Sequence, residues 1–99
     1  MSRQTYWVLL LSSAPCDAWA MGGDYEGLRL ELRRRFGENL KRERARLGLT
    51  QEAAAGLVGF SLQYVQRIER GIVNVPLDTI ARFAAALQVD PAGLLRERG

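Results

Sequence analysis

The stretch Thr50–Gly71, TQEAAAGLVGFSLQYVQRIERG, constrains this chain more than any other part of it. Thr50 is a capping residue ahead of a helix-forming run, and Gly59 interrupts that run at a turn. Ser61 offers a second cap, Val65 and Ile68 lie three apart on one face, and Gly71 ends the run. Ala55 supplies a small side chain where two helices must cross closely. Two short capped helices around a glycine turn, the second with a polar outer face, can set one helix into a DNA major groove.

Apolar periodicity predicts further helices on either side. Tyr25, Leu28, Leu32, Phe36, Leu40 and Leu47 recur near three-to-four spacing and form one inward stripe. Gly37 weakens that helix and predicts two pieces, the first true helix of the domain lying near Phe36–Leu47 with Gly48 closing it. The second helix is expected from Gln51 to Val58 and the third from Leu62 to Arg70. Beyond the connector at 72–75, Pro76 opens a fourth helix whose inward stripe is Leu77, Ile80, Phe83, Ala84 and Leu87. Asp90-Pro91 is a restart signal for a short fifth helix holding Leu94 and Leu95. The expected fold is all-α, a compact five-helix bundle over residues 25–99 behind an N-terminal extension over 1–24.

Composition narrows function mainly by exclusion. A chain of 99 residues has room for one modest core. Histidine is absent and Cys16 is the only cysteine, which excludes intrachain disulfides, thiolate zinc clusters and any His-based catalytic dyad or triad. With no activated nucleophile and no phosphate-cradling loop, Gly22-Gly23 is only a joint. No enzyme, cofactor or metal site is expected. A single cysteine fits a reducing cytoplasm, the expected location. The net charge of +3 and pI near 9.6 favour a polyanionic partner. Arg29, Arg33, Arg34, Arg35, Lys41, Arg42, Arg44 and Arg46 face only Glu31, Glu38 and Glu43 within their segment. That run is either a solvated helix face or a phosphate-contacting flank.

The extension carries an apolar run, Tyr6–Leu11, followed by the loop-like Ser12–Asp17. It faintly resembles a signal peptide, but its positive end is thin, and a membrane span needs about 20 apolar residues. The alternatives are a floppy leader, a short element packed on a partner, or sequence upstream of a start at Met21. An exposed Trp7 and Leu9–Leu11 would be adhesive, which favours burial in a dimer.

Leu47-Gly48-Leu49-Thr50-Gln51-Glu52, then Ala55, Gly59, Ser61, Val65 and Ile68-Glu69-Arg70-Gly71, then Leu77-Asp78-Thr79-Ile80-Ala81 and Ala84-x-x-Leu87 carry a signature. They resemble the XRE/Cro–C1 family of helix-turn-helix regulators, whose fold is the lambda-repressor-like bundle. The resemblance covers residues 36–95. It implies that Gln51 lies near a phosphate and braces the third helix from behind. The third helix would present Leu62, Gln63, Tyr64, Gln66 and Arg67 to the groove. Ser61, Arg70 and Arg42 would approach phosphates, and Arg44 with Glu69 would form a structural salt bridge. Two departures stand out: Ala54 replaces the usual leucine and Gly56 a polar helix former. They leave the second helix under-packed, with Phe60 available to refill the volume.

The side-chain chemistry supports several of these roles independently. Gln63 and Gln66 each offer a donor and an acceptor, the pairing that reads adenine, and Arg67 can bind guanine in bidentate fashion. Leu62 can pack on a thymine methyl, and Tyr64 can reach a phosphate or stack on Phe60. On an exposed helix the same polar residues are ordinary solvated positions, so the family frame decides between the two readings. The expected function is a sequence-specific regulator of double-stranded DNA, a homodimer on a palindromic operator with its third helix in the major groove. Leu94 and Leu95 would pair the protomers. The alternative is an antitoxin or other protein-binding module that presents the same fold to a neighbouring gene product.

Overall fold

The computed structural model describes residues 23–98; the Tyr6–Leu11 run lies outside the described residues. Among the described residues four α-helices follow in order: α1 (Gly23–Arg46), α2 (Gln51–Val58), α3 (Leu62–Glu69) and α4 (Leu77–Leu87). The fifth expected helix is instead a single 3-10 turn, Pro91–Leu94. Asp90 caps it by accepting from the Ala92 N–H at 3.1 Å. The chain then closes three-residue bonds, Gly93 N–H to Asp90 C=O (2.9 Å) and Leu95 N–H to Ala92 C=O (3.1 Å), and ends after one turn.

The core gathers Phe36 and Leu40 from α1, Ala55 and Val58 from α2, Val65 and Ile68 from α3, Ile80, Phe83, Ala84 and Leu87 from α4, and Leu94. Phe36 and Phe83 meet edge to face, ring centroids 6.0 Å apart. Phe60 stacks obliquely on Phe83 at 5.7 Å and is only half-buried. It fills space beside α2, where Ala54 and Ala55 are both buried.

Three expectations fail for tertiary reasons. Gly37 does not break α1, which runs unbroken for 24 residues. A Cβ at Gly37 would clash with the Ile68 carbonyl oxygen and lie 2.9 Å from that of Glu69. The glycine is there for the crossing of α1 over the end of α3. Gly71, at φ 74°, repeats the approach one turn away: a Cβ there would stand 3.1 Å from Arg34 Cα. Second, Leu77 is 79% exposed and does not belong to the inward stripe of α4; it opens the helix beyond the edge of the core. Tyr25, Leu28 and Leu32 are likewise exposed, because the first half of α1 has few elements packed against it, and Leu47, also exposed, lies in the turn beyond the end of α1. Third, Leu94 is 1% exposed and serves the protomer's own core, which removes it from any surface for pairing.

Asn39 fastens the C-terminal segment. Its side chain is buried on α1 and its Nδ2 donates to the carbonyls of Leu94 (3.0 Å) and Arg96 (2.8 Å). These carbonyls have no helix to continue into, so a fixed donor satisfies groups that would otherwise cost about 1–3 kcal/mol each when buried. Among the described residues, no buried side-chain polar atom lacks a partner.

Candidate nucleic-acid interface

The helix pair α2–α3 is capped at each start. Thr50 Oγ1 accepts from the Ala53 N–H at 3.0 Å, and Ser61 Oγ from the Tyr64 N–H at 3.1 Å. Each cap contributes about 0.5–2 kcal/mol and fixes where its helix begins. Gly59, at φ 79°, ends α2 with its N–H on the Ala55 carbonyl at 2.9 Å. The turn is held from outside by Arg82 of α4, whose guanidinium lies 5.2 Å from the Phe60 ring centroid and donates to the Val58 carbonyl at 3.3 Å. The sequence gives no hint of this contact, because Arg82 belongs to a surface position of another helix.

Behind α3 stands a buried polar clamp. Arg44 Nε donates to Glu69 Oε2 at 2.7 Å, Nη2 to Oε1 at 3.0 Å, and Nη1 to the Leu49 carbonyl at 2.8 Å. Gln51 Nε2 adds a bond to Glu69 Oε1 at 3.0 Å. The side chains of Arg44 and Glu69 retain 14% and 4% of their accessibility, so solvent screens the pair weakly. Hydrogen bonding to Glu69 raises the Arg44 pKa above its ordinary value, burial working against it. The clamp joins α1, α2 and the end of α3 at one carboxylate and fixes the pitch of α3.

With Val65 and Ile68 buried and Glu69 clamped, the opposite side of α3 is left to solvent. Gln63 and Arg67 are both exposed and lie four residues apart, hence on one face. Arg70 is exposed just beyond the last turn. The other expected readers differ. Leu62, Tyr64 and Gln66 are half-buried. The Tyr64 ring meets Phe60 edge to face with centroids 5.1 Å apart. Gln66 Nε2 lies 3.5 Å from Gln51 Oε1, the outer limit of a hydrogen bond, so it leans towards α2. Gln51 itself is half-buried and Ser61 exposed at the helix start.

The basic flank is largely neutralised. Arg29 pairs with Glu26; Arg34 with Glu31, Glu38 and Glu97; Arg35 with Glu31 and Glu97; Arg44 with Glu69; and Arg46 with Glu43. Glu26, Glu69 and Glu97 lie outside the acids that the segment alone suggested. Arg33, Lys41 and Arg42 make no ion pair with another described residue. Arg42 shares its side of α1 with Glu38, Lys41 and Ala45. It stands two positions from Arg44, nearly opposite on a helix of about 3.6 residues per turn. The structure therefore does not bring Arg42 to the surface carrying Gln63 and Arg67.

The fold and this paired-helix surface define a helix-turn-helix protein. Residues 35–97 match the family model described as a helix-turn-helix domain. The chain belongs to that helix-turn-helix family of DNA-binding transcriptional regulators, of the XRE/Cro–C1 type. It is 38% identical over 66 residues to an uncharacterized HTH-type transcriptional regulator of Sinorhizobium fredii, an alignment covering 67% of this chain and 86% of that protein. Among solved structures it is similar to a hypothetical transcription factor from Neisseria, at 35% identity and TM-score 0.64, covering 66% of this chain and 75% of that one. It is also similar to the restriction–modification controller protein of Aeromonas hydrophila, at 40% identity and TM-score 0.60, covering 63% of this chain and 94% of that one. No described helix is long and apolar enough to cross a membrane.

Proposed function

We propose that this protein is a sequence-specific regulator that binds a palindromic operator as a homodimer, inserting α3 into the major groove. The observation that carries the reading is the exposed pair Gln63 and Arg67 on a helix whose opposite face is wholly committed to the core and the Arg44–Glu69 clamp. Gln63 presents a donor and an acceptor to adenine, and Arg67 a two-pronged donor to guanine. Gln51, Ser61 and Arg70 flank this face and position the backbone of the duplex. Leu62 supplies a methyl-sized apolar contact. Gln66 and Tyr64 act mainly by holding α3 in place. Two copies related by a dyad would put half-sites about one DNA turn, ~34 Å, apart.

The test is fluorescence anisotropy of the full chain with DNA from upstream of its own gene, against a scrambled duplex, across a salt series. Affinity should fall steeply with salt and favour the native sequence. Arg67→Ala should lose about 1–3 kcal/mol of discrimination at one base position. Binding that responds to neither salt nor sequence overturns the reading. The alternative of a protein-binding module presenting Leu62 and Tyr64 is less well supported, because both are half-buried and the Tyr64 ring already packs on Phe60.

A further inference from the structure

No residue from Asp24 to Arg35 is fully buried, yet the apolar stripe of α1 does not stop at the core. Tyr25, Leu28 and Leu32 continue the face of Phe36 outward for three more turns at three-to-four spacing. Tyr25 and Leu32, with Val75, Leu77 and Leu95, border an open groove of about 510 Å³ between the first half of α1 and the start of α4, and Leu28 is exposed on the same half of α1. Leu77 and Tyr25, 79% and 62% exposed, stand at its mouth. A helical segment of this length is marginal alone in water, where about 12–15 residues are needed even for good helix formers. An apolar seam with one wall missing is the usual mark of an association surface.

We propose that the missing wall is the same segment of a second copy, the two α1 overhangs crossing antiparallel about a dyad near Leu28. The charge pattern favours this occupant. Asp24 and Glu26 lie in the first turn of α1, and Arg29 and Arg33 on the same groove-bordering stretch one to two turns later. A dyad reverses one copy against the other, so the acidic start of each helix lies beside the basic stretch of its partner. This is the self-complementarity an isologous contact requires. The Arg29–Glu26 pair within a protomer is exposed and exchanges readily for pairs across the dyad. Leu95 lies in this groove, whereas Leu94 is buried in the protomer's core. The proposal rests on the homodimer reading above and assigns its surface.

Sedimentation equilibrium of the full chain decides it. The wild type should be dimeric, and Leu77→Glu or Leu28→Glu should weaken association by about tenfold or more while leaving helix content, and melting at concentrations where every variant is monomeric, intact. Arg29→Glu with Arg33→Glu should weaken it too, and adding Asp24→Arg with Glu26→Arg should restore it. A wild-type dimer unaffected by these changes overturns this surface but not the homodimer. A monomeric wild type that still binds DNA overturns both while leaving DNA recognition standing. The tryptophans, Trp7 and Trp19, both precede α1 and provide a further arm. If Leu77→Glu shifts their emission without changing the mass, the N-terminal run of the same chain fills the groove, and the proposal fails.

Discussion

The two halves of α1 are built from similar residues and do opposite work. From Phe36 onward the helix lies against α3, with Gly37 in backbone contact and Arg44 in a buried clamp. Before it, the same mixture of arginine, glutamate and leucine borders solvent and an open groove. Composition does not distinguish these halves; enclosure does. An ion pair out of water holds a helix in position, while the same pair in water is worth little.

The largest test of that contrast is the clamp. Glu69→Ala leaves the Arg44 guanidinium buried without its carboxylate and should cost about 3–5 kcal/mol in denaturant unfolding. Removing Glu26 from its exposed pair with Arg29 should leave unfolding unchanged. Next come two glycines on one helix. Gly37→Ala drives a methyl against backbone carbonyls that cannot swing aside and should cost about 1–3 kcal/mol or more. A Cβ at Gly27 meets nothing within 4 Å, so Gly27→Ala should stabilise by about 0.4–1 kcal/mol through helix propensity and a restricted unfolded chain. Equal penalties at the two glycines would mean that the crossing with α3 is not what requires Gly37. Gly56→Ala, also unobstructed, should stabilise α2 by a similar amount.

The smallest effect concerns pH. Hydrogen bonds from Arg34, with Arg35 and Glu97 nearby, hold the Glu31 carboxyl well below its usual range. Its folded pKa is below its unfolded value, so its contribution is complete above about pH 4.5 and fades as the pH falls further. Amide exchange should show the end around Glu97 loosening in acid before the core does. Because these groups are solvated, added salt should shrink the effect.

Much of the scaffold is legible in the chain. The spans of α2 and α3, the Thr50 and Ser61 caps and the inward Val65 and Ile68 follow from local rules of capping and periodicity. The misses share one cause. Gly37 looks like a breaker because propensity counts only the helix it sits in, whereas its purpose is the carbonyl row of another helix. Asn39 carries no signal within its own helix, because the carbonyl it holds arrives 55 positions later. Period places Leu77 on an inward face and a restart signal places Leu94 on a fifth helix, but neither rule identifies what lies opposite the side chain. The pairing of the basic flank is hidden from its own segment because Glu97 and Glu69 are distant in sequence and adjacent in space. On α3, exposure separates Gln63 and Arg67 from Gln66 and Tyr64, a division that spacing cannot make.

The clamp behind α3 has a further consequence. The contacts that set the position of this helix run through Val65, Ile68 and Glu69, with Tyr64 and Gln66 beside them, and among the described residues none runs through Gln63 or Arg67. Exposed positions of that kind change stability by no more than about 0.5 kcal/mol when substituted. The outward face can therefore be rewritten almost without a folding cost. A library randomised at positions 63 and 67 should yield proteins that melt alike, and under the proposed recognition they would differ only in what they bind.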